Sequence, residues 1–190
     1  MVAVAVVLAV AGCSGGDAPP PSALPSDSAP PQSSSPPSNP PSTAATTPTP
    51  TAPPLPATAT QDTPAGAASF ARYWLSVLDY ATTSGDTDSL LALGRCTSCI
   101  ALAKSVEVLY ASGGRAEGGR ITVVDSSVAR HVPGKAALVR VHYDQARSRE
   151  IPPKGPPKTT PAQKGLGFAF ALARREGGWT VAKLQTVETN

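Results

Sequence analysis

The sequence has no lysine or arginine before Arg72 and no aromatic residue before Phe70, although it holds 16 Lys+Arg, three Phe, four Tyr and two Trp in 190 residues. It also lacks long apolar runs, the longest uncharged one being the opening "MVAVAVVLAVA" of residues 1–11. Each absence excludes something. A segment without aromatics and with few large aliphatics cannot bury enough surface to offset its chain entropy, so no core is expected in the first third of the chain. A helix of eleven residues, at about 1.5 Å each, reaches about half of a roughly 30 Å hydrocarbon layer, which argues against a transmembrane span. The basic residues are scattered and do not interleave with aromatics, so no nucleic acid is expected as a partner. The pairs Gly113-Gly114 and Gly118-Gly119 lack the following Lys and Ser/Thr of a phosphate loop.

What is present divides near residue 64. Sixteen of the 22 prolines lie in residues 1–64, in tracts such as "APPQSSSPPSNPPSTAATTPTPTAPPLP". Residues 65–190 have the size of one domain with one core. The formal net charge is +3, but Asp17, Asp27 and Asp62 precede the domain, which therefore carries 16 basic against 10 acidic residues. A net charge of +6 favours anionic neighbours.

The apolar start suits the hydrophobic region of a signal peptide. Val10-Ala11-Gly12-Cys13 resembles the bacterial lipobox, in which small residues admit a peptidase and the cysteine takes a diacylglyceryl group. A signal normally opens with Lys or Arg, and the absence of one is read as a natural start upstream of Met1. The expected organisation is a signal peptide over 1–12, lipidated Cys13 with a Pro/Ser/Thr-rich tether over 13–64, and a folded domain over 65–190. The membrane is then a partner through the lipid, and the domain lies on the extracytoplasmic face. The tether samples polyproline II and coil, spanning on the order of 150 Å extended or about 40 Å as a coil.

Within the domain, Phe70, Trp74, Val77, Leu78 and Ala81 share a helical face over 65–84, after Pro64 and before Gly85. Asp86 is positioned to cap a short second helix ending at Gly94. A third helix follows Cys96 with an apolar stripe of Cys99, Leu102, Ala103, Val106, Leu109 and Tyr110, and stops at Gly113-Gly114. The period then becomes two. Residues 120–130, 135–145, 165–176 and 179–188 read as strands, with Ala137, Val139, Val141 and Tyr143 on one face and Leu138, Arg140, His142 and Asp144 on the other. The loop 152–164 is too rich in proline for a sheet interior. Helices followed by three or four antiparallel strands predict an α+β fold.

The order of helices and a meander ending in "GGWTVAKLQ" resembles the nuclear transport factor 2-like, or cystatin-like, cone. The stretches "ASFARYWLSVLDYATTSGDTDSL", "CTSC" and "LYASGGRAEGGRITV" resemble the actinobacterial lipoproteins of domain-of-unknown-function family 6318, over most of residues 56–188. That resemblance implies a location and a fold but no activity, since cones serve enzymes, ligand carriers and interaction modules alike.

Three chemistries follow from the residues. Cys96 and Cys99, three apart at a helix start, read as a disulfide, with a redox pair or a zinc site completed by His131 and His142 as alternatives. His131 lies in the loop "ARHVPGK" with no evident partner. Tyr73, Trp74, Asp79, Tyr80 and Tyr110 are candidates to line a cone cavity, where an Asp–Tyr pair would serve as base and oxyanion donor. The expected role is non-catalytic binding of a small ligand or a cell-wall or envelope protein, without metal or cofactor. A cone-fold enzyme is the alternative, and a redox accessory the third.

Overall fold

The computed structural model describes residues 50–187. The expected signal peptide over 1–12, Cys13 and the part of the 13–64 tether up to residue 49 lie outside them. Helix α1 (Pro64–Ser84) begins at the N-cap Thr63, whose Oγ1 accepts from the Gly66 N–H at 3.0 Å, with Pro64 in the first turn where no N–H is missed. It ends at Gly85, which takes the left-handed φ of 81°. The ring of Tyr110 packs so closely there that a Cβ on residue 85 would meet it. Phe70, Trp74, Val77, Leu78 and Ala81 are all buried, as their spacing predicts. Helix α2 (Asp88–Ala92) has Thr87 rather than Asp86 as its N-cap, without a side-chain cap bond; Asp86, one residue earlier, accepts from the Asp88 N–H at 3.2 Å and the Ser89 hydroxyl at 3.0 Å. Helix α3 (Thr97–Ala111) follows, with Cys99, Ala103 and Val106 as its buried stripe.

Four strands form the main antiparallel sheet: β2 (Ile121–Val132), β3 (Ala136–Gln145), β6 (Gln163–Arg175) and β7 (Gly178–Val187), in the order β2-β3-β6-β7. Its inner face carries Ala137, Val139, Val141 and Tyr143 from β3 opposite Leu172, Phe170, Phe168 and Leu166 from β6. Trp74 of α1 is fully enclosed against it, edge-on to Phe170 at 5.4 Å and to Phe168 at 6.1 Å. This helix-on-sheet arrangement is the expected α+β layer.

A second sheet was not anticipated. Strands β1 (Arg115–Gly118), β4 (Ser148–Ile151) and β5 (Lys158–Thr160) pair antiparallel in the order β1-β4-β5. Gly118 and Gly119, with φ of 71° and 77°, form the kink at which the chain passes from the small sheet to the main one. The Gly119 N–H donates to Arg147 O and the Ala146 N–H to Arg120 O across that kink. Gly113 and Gly114 form the exit turn of α3, their N–H groups donating to Tyr110 O and Leu109 O, whereas Gly118 and Gly119 make the kink between the sheets. Strand β5 sits at an edge, where the surrounding prolines are tolerated.

The packed structure also begins earlier than residue 65. A 3₁₀ turn (Ala57–Thr60) lies on α1 and buries Ala59. The Thr58 and Ser69 hydroxyls lie 2.9 Å apart, and the Tyr73 hydroxyl donates to Pro53 O at 3.3 Å. The indole N–H of Trp179 donates to Gln61 O at 2.9 Å, and Asp62 accepts from the Gly134 N–H at 2.5 Å and meets His131 Nε2 at 3.0 Å. Composition assigned residues 50–64 to the tether because small residues and proline dominate it. Their backbone groups and one acidic side chain nonetheless find partners on the domain.

Candidate functional site

A cleft of ≈ 520 Å³ opens where α1, α3 and the two sheets meet. Helical spacing brings Leu78, Asp79 and Thr82 of α1 to one wall, and Leu102, Ser105, Val106 and Leu109 of α3 to the facing one. Ile121, Tyr143 and Phe168 form the floor from the main sheet, while Glu150 and Lys158 of the small sheet stand at the rim. The unanticipated sheet therefore helps to enclose the site. Its two charged groups are exposed, with Lys158 Nζ 3.9 Å from Glu150 Oε2.

Asp79 is the acid that α1 contributes to the cleft. Burial pushes its carboxyl above the ordinary carboxylate value, offset in part by the Ile121 N–H, which donates to Oδ1 at 3.3 Å, and by the charge of Arg120. Burial likewise raises the phenol of Tyr143, which stacks on Phe168 at 5.3 Å. Its hydroxyl has no hydrogen-bond partner among the described residues.

The five residues proposed as cavity lining do not assemble. Only Asp79 reaches the cleft. Trp74 is core, because its place at the centre of the α1 stripe turns it into the sheet. Tyr73 bonds the N-terminal segment, Tyr80 donates to Asp86 Oδ2 at 3.1 Å, and Tyr110 donates to the carbonyls of Thr82 and Thr83 at 3.0 and 2.7 Å. These three hydroxyls anchor backbone and caps. Tyr143, the end of the inward row on β3, is the tyrosine that lines the cleft, and the two-residue alternation carried that signal. A larger and shallower groove, ≈ 690 Å³, runs beside the β6–β7 turn between Arg95, Arg175 and Trp179, but its walls are mainly polar.

Asp62 and Asp79 pull stability in opposite directions with pH. The Gly134 N–H, aided by His131, holds Asp62 below its ordinary value against the opposing effect of burial. The stability carried by ionised Asp62 is therefore present above the ordinary carboxylate pKa and lost as pH falls through the lowered one. Asp79 has a raised folded pKa, so stability falls as pH rises from the ordinary value through the raised one. At pH 7 Asp79→Asn should raise the urea midpoint and Asp62→Asn should lower it; a shift of either in the other direction would contradict the assignment.

Cys96 and Cys99 are joined by a disulfide. Cys96 is also the N-cap of α3, its sulfur accepting from the Cys99 N–H at 3.1 Å. The preceding Leu93 O accepts from the Val181 N–H of β7 at 2.9 Å and from the Thr180 hydroxyl at 3.0 Å. Gly94 lies so close to Val181 that a side chain would strike the strand backbone. The bridge thus fixes the turn that seats α3 on β7. Replacing both cysteines by alanine should cost about 2 kcal/mol, the loop-closure value for so short a ring, measured by urea unfolding under non-reducing conditions. With both sulfurs bonded, the thiolates of the zinc alternative are taken up. The two histidines also belong to different pairs. His131 lies in β2 rather than a loop, against Asp62 and edge-on to Trp179 at 5.9 Å, and His142 Nδ1 lies 2.7 Å from Asp125 Oδ1. Among the described residues no group of three or more His, Cys, Asp or Glu is placed to hold a metal.

Comparison with solved structures gives a similar fold in the crystal structure of the intermembrane space region of chloroplast protein ARC6. The TM-score is 0.50 at 11% identity, covering 67% of this chain and 98% of that one. No curated protein sequence matches the chain. Residues 35–185 match a family described as a family of unknown function, which accords with the stretches around α1, the cysteine pair and the Gly-Gly kink; the chain belongs to that family, DUF6318.

Proposed function

We propose that the protein is an actinobacterial envelope lipoprotein whose domain, a cone of the nuclear transport factor 2-like kind, binds a small apolar ligand without transforming it. The observation that carries the binding role is the ≈ 520 Å³ cleft between α1, α3 and both sheets, walled by Leu78, Leu102, Val106, Leu109, Ile121 and Phe168. Ligand sites are concave, largely apolar and of about 300–1,000 Å³, with a few polar groups for orientation. Asp79 and Tyr143 supply such groups here. The acid–base alternative now rests on that pair, with Tyr143 in place of the tyrosines first considered.

Titration of the full chain with Nile red, a neutral apolar dye, tests the binding role. Saturable fluorescence enhancement that Val106→Trp abolishes in a folded protein supports it. Enhancement that is absent, or that survives the variant, overturns it. The anchor is tested separately by mass spectrometry of the native N-terminal peptide: diacylglyceryl on Cys13 is expected, and an unmodified Cys13 with residues 1–12 attached would refute the lipoprotein assignment.

A further inference from the structure

We infer that the cleft selects apolar amines: molecules with an aliphatic or aromatic body and one protonated amine that pairs with Asp79. This rests on the binding role proposed above and names its ligand class. The domain is basic overall, yet the charged side chains lining this cleft are Asp79, Glu150 and Lys158. Among the side chains that line it two acids stand against one base, and Arg120, outside the lining, reaches Asp79 through its charge without forming an ion pair with it. The lysine stands outside the apolar walls, highly exposed and beside Glu150, so it neutralises its neighbour at the rim rather than Asp79 within.

Asp79 is half-withdrawn from water among Leu78, Ile121 and Phe168, and its one hydrogen bond is the 3.3 Å donation from the Ile121 N–H to Oδ1. Its other oxygen accepts from no group among the described residues. A carboxylate so placed has lost hydration without gaining a full set of donors, which is the cost that burial of a charge imposes. An ammonium group returns both charge and donors, through a charge-assisted hydrogen bond strengthened by the apolar surroundings. A carboxylate ligand meets like charge instead, and an alcohol supplies one neutral donor. The apolar body contributes to all three by leaving water. Head-group preference is therefore separable from chain affinity.

The test compares decylamine, decanol and decanoate against the full chain by displacement of Nile red, each below its micelle concentration. Decylamine should bind about tenfold more tightly than decanoate, with decanol between. Asp79→Asn keeps an acceptor for the Ile121 N–H and should bring the three within about twofold. Thr82→Lys, whose ammonium lies one helical turn from Asp79, should have the same effect, so the result does not depend on one variant folding. Equal affinities in the native chain, tighter decanoate, or an amine preference that survives both variants would overturn the amine assignment and leave the apolar cleft standing. Failure of Nile red and of all three amphiphiles to bind would overturn both.

Discussion

Replacing Trp74 with alanine should lower the unfolding free energy by about 3–5 kcal/mol, the range for deleting a large aromatic from a closed core. The side chain is fully buried, with Phe168 and Phe170 of β6 edge-on to it, so the space it vacates is walled by aromatic rings and the rigid stripe of α1. Its indole N–H has no hydrogen-bond partner among the described residues. Trp74→Phe should cost markedly less than the alanine variant, because it leaves a smaller cavity and neither variant breaks a hydrogen bond. Urea unfolding followed by far-UV circular dichroism distinguishes the two. Equal losses for the two variants, or a loss below about 1 kcal/mol for alanine, would contradict the enclosure of the ring.

A chain that begins at residue 65 should be less stable than one that begins at residue 50 by roughly 3–5 kcal/mol, as cap, hydrogen-bond and burial contributions are lost together. The shorter chain lacks the Thr63 cap of α1, the carbonyls that receive Tyr73 and Trp179, the Thr58–Ser69 pair and the packing of Ala59. Trp179 then loses the acceptor of its indole while keeping Arg174 5.2 Å over its ring. Near-ultraviolet circular dichroism should change with the stability. Coincident urea midpoints for the two chains would show that residues 50–64 add nothing to the domain.

Much of this was readable from periodicity. The α1 stripe, the left-handed Gly85, the alternating rows of β3 and β6 and the disulfide all follow from spacing, because in each the determinant is local. The small sheet was not readable, since β1, β4 and β5 carry mainly polar or charged residues at an exposed edge and show no apolar alternation. Residues 50–64 were hidden for a different reason. Their attachment runs through backbone carbonyls and Asp62, and a partner 69 residues away in His131 leaves no trace in composition. Among the site residues, Asp79 was visible beside the buried stripe. Tyr143 was assigned the correct face but not to the cleft, whereas Glu150 and Lys158 came with the unseen sheet. Trp74 shows the converse: an aromatic on the inner face of a helix reads equally well as lining or core until the opposite wall is known.

The seating of α3 on β7 has a consequence for self-association. A sheet grows by adding strands to an unpaired edge. On β7 the outward Val181 N–H and Leu184 carbonyl are already occupied, by Leu93 and by the Ser98 hydroxyl at 3.0 Å. At the opposite margin, β2 departs from regular register between Val123 and Asp125 and again between Val128 and Arg130. Neither margin offers a straight, vacant ladder to a second molecule. Crowding many copies onto one surface should therefore not zip them together through their sheets, and reducing the bridge at Cys96 and Cys99 would loosen the guard on one side.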